Sequence, residues 1–116
     1  MISAYLAGLA LQAATSTSND APMRCDQGPL SRAFGGTNWV VYGCEDQRSV
    51  VVVSIQGNPA GPFVFIFAVK DDGYSLSGEG TGDKIASAAA FAELSKLSGD
   101  AIARLHAEAT AAAPKP

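Results

Sequence analysis

Apolar residues fall in short blocks across the middle of the chain, and glycine- or proline-containing segments separate most of these blocks. Three blocks rich in Val, Ile, Phe and Tyr, a composition typical of β-strands, cover residues 38–44, 48–56 and 62–70, and a weaker fourth strand that ends in glycines covers residues 74–80. The connections are short, and short connections join antiparallel strands because parallel neighbours need long crossovers. The pattern therefore predicts a four-stranded antiparallel meander.

The central blocks lack the alternation of apolar and polar residues expected of a strand with one face in water. In residues 62–70, Phe63 and Phe65 share one side while Val64 and Ile66 share the other. We therefore expect both faces of the sheet to be covered. C-terminal helices supply one cover, and the second is either the Cys-tied loop with Leu30, Phe34 and Trp39 or another copy of the chain. The surplus of apolar surface suggests association, and the alternative is a monomer whose core is fully satisfied.

The C-terminal third of the chain reads as helix. Asp83 is a suitable N-cap for the stretch KIASAAAFAELSKLS, which contains helix formers and neither Gly nor Pro. We expect Gly99 to end this helix and Asp100 to cap a second one that continues to Pro114. The fold class predicted is α+β: a four-stranded antiparallel β-meander with one or two C-terminal α-helices packed on one face.

The segment before the first strand has no clear periodicity. Residues 23–37 contain Gly28, Pro29, Gly35 and Gly36, which indicates a loop with room for one helical turn near residues 30–34. The predicted organisation is a signal-peptide-like segment with a polar linker at 1–22, one domain at 23–113 and a tail at 114–116. With 116 residues, the chain suits a single domain.

The N-terminal 22 residues differ in composition from the rest. Residues 2–11 are apolar and uncharged, and small and polar residues follow, as in a secretory signal peptide. This run is too short to span a bilayer, which takes about 20 apolar residues. The alternative is an amphipathic N-terminal helix of a cytosolic protein. We expect export to the periplasm or beyond, with no stable membrane insertion once the leader is removed.

The two cysteines, Cys25 and Cys44, are expected to form a disulfide, because an even number of cysteines in a small exported chain favours pairing. A metal site normally needs three or four ligands, and His106 is the only histidine. A thioredoxin-like pair would need C-x-x-C spacing, which these positions lack. No metal or cofactor is expected.

Charge narrows the range of partners. Eight Lys and Arg against eleven Asp and Glu give a net charge of −3, and no basic cluster occurs. Nucleic-acid binding needs a phosphate-neutralising surface, so the sequence argues against it. The same lack of basic clusters argues against electrostatic attachment to anionic membranes.

Two weak candidate sites remain. The turns after the first and third predicted strands lie at the same end of a meander, which brings together an acidic rim that consists of Glu45, Asp46, Asp71 and Asp72. Such a rim suits a basic protein partner or, less specifically, Ca²⁺. A glycine-rich loop that enters the predicted helix is the second candidate, an anion site at a helix N-terminus that consists of Gly78, Gly80, Gly82 and Asp83.

Few residues in the sequence indicate a catalytic site. A Ser–His mechanism needs a base, and His106 is expected to be an exposed or lightly packed helix residue. The favoured interpretation is a small exported, non-catalytic binding domain, whose partner is another protein or a second copy that docks through the sheet. The alternative is a small enzyme or anion-binding protein that works through the loop at residues 78–83.

Overall fold

The computed structural model describes residues 23–71 and 73–114. The strands, in chain order, are β1 (Gln27–Phe34), β2 (Thr37–Gly43), β3 (Val50–Ser54), β4 (Phe63–Lys70) and β5 (Gly73–Gly80). Two helices follow, α1 (Lys84–Leu94) and α2 (Gly99–Ala112). The predicted signal-peptide-like segment and most of the tail lie outside the described residues.

The strands form one antiparallel sheet in the order β1-β2-β3-β4-β5, so every strand pairs with its neighbour in sequence. The α+β meander with two C-terminal helices is confirmed. The four predicted strands correspond to β2–β5; β-branched and aromatic residues fill β2–β4, and short turns separate all four. The sheet contains one strand more than the four predicted.

The additional strand, β1, occupies part of the segment expected to be a loop. It pairs with β2 through the tight turn at Gly35 and Gly36, whose φ angles are +61° and +81°. Glycine reaches this left-handed region without steric cost. The helical turn expected near residues 30–34 is therefore wrong. The register shifts between Gln27 and Leu30, which is where Gly28 and Pro29 lie.

The hydrophobic core lies between the sheet and the helices, and Trp39, Phe65 and Leu94 are among its fully buried members. Trp39 packs against Phe65 with ring centroids 5.3 Å apart. Phe34 also belongs to this core, and Leu30 packs against it. The expectation that these residues cover the second face of the sheet is wrong, because the Cys-tied segment joins the sheet as an edge strand instead of crossing it.

The helix caps differ partly from expectation. Asp83 caps α1 as predicted, since its side chain accepts a hydrogen bond from the Ile85 N–H. Helix α1 ends at Leu94, before Gly99, and Ser98 caps α2 by accepting from the Ala101 N–H. Asp100 therefore lies in the first turn of α2 and is not its cap. Neither described helix has the length and apolar character needed to cross a membrane.

Candidate functional site

The sheet face opposite the helices, hereafter the outer face, carries a block of apolar side chains. Strand alternation places every second residue of β2, β3 and β4 there. We call this block the outer patch: Val40, Tyr42, Val51, Val53, Val64, Ile66 and Ala68. All seven are half-buried, whereas the alternate residues that face the helices include the buried core of the same strands. No described helix or strand lies over the outer patch.

The register aligns the outer patch into two rows across the sheet. Val40 pairs with Val53, which pairs with Val64. In the next row, Tyr42 pairs with Val51, which pairs with Ile66. Three strands thus contribute a contiguous apolar surface.

Polar residues border the outer patch on the two edge strands. On β1, Ser31 pairs with Val40, and on β5, Ser77 pairs with Ile66. Both serines are exposed. The outer face is therefore apolar at its centre and polar at its margins, as expected of a protein-binding surface.

The disulfide is observed between Cys25 and Cys44. It joins the start of β1 to the end of β2 at the open end of their hairpin. The backbone N–H of Glu45 donates to the Arg24 carbonyl, and the Arg24 N–H donates to the Glu45 carboxylate at 2.7 Å. Covalent and hydrogen bonds thus hold the same end of the edge strand.

His106 is buried beside the disulfide, so the expectation of an exposed histidine is wrong. Its Nε2 lies 3.0 Å from the Cys44 carbonyl oxygen, and its ring packs over Gly43, where a Cβ would clash with the ring. Asp83 lies at the other end of the sheet, where its N–H donates to the Pro59 carbonyl. His106 and Asp83 therefore do not form a catalytic pair.

The acidic rim is partly engaged within the fold. Glu45 binds Arg24 as described above, while Asp46 accepts hydrogen bonds from the N–H groups of Arg48 and Ser49 and from the Ser49 hydroxyl. Asp71 is exposed, with a left-handed φ of +50°. Asp72 lies outside the described residues, so the rim as a whole stays a prediction. Within residues 23–71 and 73–114, no group of three or more metal-ligating side chains is present.

The Asp46 carboxylate is a structural group of this turn. Burial alone would raise its pKa, but the hydrogen bonds from Ser49 and Arg48, together with electrostatic attraction from His106, outweigh burial and lower the pKa below its usual value. A carboxyl group whose pKa is lower in the folded state stabilises that state above its unfolded pKa of about 3.9. This stabilisation is lost as the pH falls through the folded-state pKa.

We expect Asp46→Asn to reduce the acid sensitivity of the fold. At pH 7 the variant should be less stable than the parent protein, and the difference should shrink as the pH falls and vanish below the lowered folded-state pKa of Asp46, where both lack the charge. Urea unfolding from pH 7 to pH 2 measures this. Asp71→Asn, in an exposed turn where Asn also tolerates a positive φ, is the matched control. If Asp46→Asn lowered the free energy of unfolding by the same amount at every pH, the charge of Asp46 would not contribute to stability.

The glycine-rich loop is occupied by internal contacts. A Cβ on Gly78 or Gly80 would clash with the rings of Phe65 and Phe63, so these glycines make room for aromatic side chains that lie against β5. A Cβ on Gly82 would clash with the Ala60 carbonyl.

The N–H groups of this loop are also used internally. Those of Thr81, Asp83 and Ile85 donate to Pro62, Pro59 and the Asp83 carboxylate, respectively. A carboxylate at the helix N-terminus also disfavours an anion. These contacts count against the predicted anion site.

An open groove of about 430 Å³ lies between this loop and α1. Phe63, Phe65 and Phe91 line it, and Lys84 lies at its rim. The groove is mainly apolar and contains no cluster of converging titratable groups among its lining residues, which catalysis would need.

Asn58 is a structural residue in the connection between β3 and β4. Its side-chain amide donates to the Asn38 carbonyl at 2.7 Å and accepts from the Ala60 N–H at 2.8 Å. It thereby fixes the loop between β3 and β4 against β2.

Comparisons of the chain with protein-family models, curated proteins and solved structures gave no match.

Proposed function

We propose that this chain is a small exported, non-catalytic interaction domain that binds another protein through the outer patch. The observation that carries the proposal is the contiguous apolar surface of three strands, which no described element covers. Aliphatic side chains in water favour association, since burial gains about 25 cal/mol per Å² of apolar area. Monomeric proteins rarely expose large contiguous patches that are rimmed by polar residues unless these patches bind a partner.

Export is supported by the disulfide. Disulfides persist in oxidising compartments such as the periplasm and the extracellular space, and they are rare in the reducing cytosol. Cys44 is almost fully buried and the bond closes a hairpin, so this disulfide has a structural role. The proposed location is periplasmic or secreted.

A non-catalytic role is supported by the use of the polar groups. His106 is bound to the Cys44 carbonyl, Asp46 binds groups in its own turn, and Glu45 binds Arg24. Side chains engaged in this way stabilise the fold and are not free to transfer protons to a substrate. The alternative of an enzyme that works at residues 78–83 finds less support, because the Thr81 and Asp83 N–H groups of that loop donate to backbone carbonyls of the fold.

The proposal predicts that outer-patch residues contribute little to the stability of the isolated domain. Val53 on the outer face and Val52 on the core face are adjacent in β3 and form a matched pair. We expect Val53→Thr to lower the free energy of unfolding by less than about 0.5 kcal/mol, since its hydroxyl can reach water. Val52→Thr should cost about 1–3 kcal/mol, because it buries a hydroxyl in a core position.

Urea unfolding at about 1 µM protein measures both variants. An apolar fluorescent dye provides a second readout, and we expect the double variant Val53→Thr/Ile66→Thr to bind less dye than the parent protein. Equal destabilisation by Val53→Thr and Val52→Thr would show that the outer patch is internal core. The proposed function would then be wrong.

A further inference from the structure

We infer that the outer patch binds a second copy of the same chain, with the two sheets packed face to face around a two-fold axis. This inference rests on the proposed function and names its partner. The axis lies in the interface, perpendicular to the strands, so each strand lies over the same strand of the other copy in the opposite direction. The apolar centre of the outer face, its charges and its area support this arrangement.

The shape of the outer patch suits sheet-on-sheet packing. Packed sheets lie about 10 Å apart with their strands within about 30° of each other, and β-branched side chains interdigitate between them. The patch is centred on β3, the middle strand of the sheet, with β2 and β4 on either side. A two-fold axis that crosses the strands at the level of the outer patch places each strand over its own copy, so apolar residues contact apolar residues and the polar edge strands lie over each other.

The charges of the outer face fit this symmetry. Alternation places only two charged side chains of the five strands on this face, Lys70 of β4 and Glu79 of β5. Lys70 pairs with Gly73 at one end of β5, and Glu79 pairs with Val64 at the other end. Six residues of strand separate these two positions, which corresponds to about 20 Å.

Because Lys70 and Glu79 lie at opposite ends of the outer face, an antiparallel two-fold arrangement places opposite charges of the two copies next to each other. It brings the Lys70 end of one copy over the Glu79 end of the second copy, and the reverse, so two ion pairs form at the margins. Both side chains are exposed in the isolated chain. An arrangement with parallel strands would instead place β4 and β5 over β2 and β1, whose outer positions carry no charge.

The area of the outer face determines the affinity expected of the dimer. The five strands, about 4.8 Å apart, over about three rows of side chains present roughly 400–500 Å² per copy, of which the apolar centre on three strands is roughly 200–300 Å². The total of roughly 1,000 Å² is at the lower limit of specific interfaces. We therefore expect a reversible dimer with a dissociation constant in the micromolar range.

Sedimentation velocity on the protein between 1 and 500 µM tests the inference. We expect a concentration-dependent shift from monomer to dimer, which Val53→Asp should weaken at least thirtyfold. Ile85→Asp is the matched control, because Ile85 is an exposed apolar residue on α1, away from the outer face. Far-UV circular dichroism verifies that each variant is folded. Val53→Thr, with a smaller expected loss of about threefold to tenfold, replaces Val53→Asp should the latter fail to fold.

Charge exchange tests the orientation. Lys70→Glu and Glu79→Lys should each weaken the dimer about threefold to tenfold, and the double variant should restore the parent affinity. Because the two residues lie about 20 Å apart within one copy, this rescue requires contact between copies.

The outcomes of these measurements distinguish the two-fold dimer from the proposed protein-binding function of the outer patch. A monomer at every concentration, a dimer insensitive to Val53→Asp, or a double charge variant without rescue would each overturn the two-fold arrangement. Unfolding of Val53→Thr and dye binding by Val53→Thr/Ile66→Thr would still support a protein-binding outer patch in each of these cases. Destabilisation of Val53→Thr as large as that of Val52→Thr would overturn both.

Discussion

Replacing both Cys25 and Cys44 with alanine is expected to lower the free energy of unfolding by about 3 kcal/mol. The disulfide closes a loop with a sequence separation of 19 residues. In the chain-entropy model a loop of this size stabilises the folded state by about 3 kcal/mol, because the cross-link restricts the unfolded chain. This is a large share of the 5–15 kcal/mol typical of a domain.

The position of the bond explains why the fold depends on it. Strand β1 is an edge strand, so it pairs with β2 alone. Ser31 and Arg32 in its middle are exposed and polar, and only Leu30 and Phe34 bring large apolar side chains to the core. The disulfide fixes the end of the hairpin opposite the Gly35–Gly36 turn, and it also holds the Cys44 carbonyl beside His106. Its loss should therefore release β1 and weaken the packing of α2.

Urea unfolding of the parent protein and of the double alanine variant measures the effect. Arg24→Ala is the control, because it removes only the exposed ion pair to Glu45 beside the bond, at 3.7 Å, and should cost less than about 1 kcal/mol. Parent protein treated with a reductant should match the double variant. A loss below about 1 kcal/mol would show that hydrogen bonds and packing alone hold β1.

Strands β2 to β4 could be predicted because their residues are apolar on both faces of the sheet, and β5 because only a short connection separates it from β4. Val51 and Val52 are adjacent, and one is half-buried on the outer face while the other is fully buried against the helices. A strand that is apolar on both sides produces a strong signal that does not depend on knowing its neighbours. Asp83 could be identified because N-capping is a local interaction.

Strand β1 could not be recognised by the same reasoning. Ser31, Arg32 and Ala33 are exposed, and an exposed edge strand lacks the continuous apolar pattern. The pairing that makes it a strand comes from β2. Proline and glycine at its start favour a loop when only the local sequence is considered.

His106 shows a second limit. Its contact with the Cys44 carbonyl joins residues 62 positions apart, and its burial depends on Gly43, which leaves room for the ring. Neither contact has a local signature in the sequence of α2. The surplus of apolar sheet surface, by contrast, is evident in the sequence. Which face of the sheet is left uncovered is not, because this depends on Leu30, Phe34 and Trp39 packing in the core between the sheet and the helices.

Trp39→Ala is expected to have the largest effect of any single substitution considered, a loss of about 3–5 kcal/mol in the free energy of unfolding. Trp39 has no exposed surface, and its indole N–H donates to the Thr37 hydroxyl at 2.8 Å. Truncation removes the contact with Phe65 and leaves a cavity between the sheet and the helices. Urea unfolding with near-UV circular dichroism measures both the stability and the packing.

Phe91→Ala is the matched control, because Phe91 also contacts Phe65, with centroids 6.2 Å apart, but 45% of its surface is exposed. We expect it to cost less than about 1.5 kcal/mol, since much of its ring already contacts water. Similar losses for the two variants would show that the core is not centred on Trp39. Because Trp39 is followed in β2 by Val40 of the outer patch, a fully buried Trp39 also fixes which side of this strand faces outward.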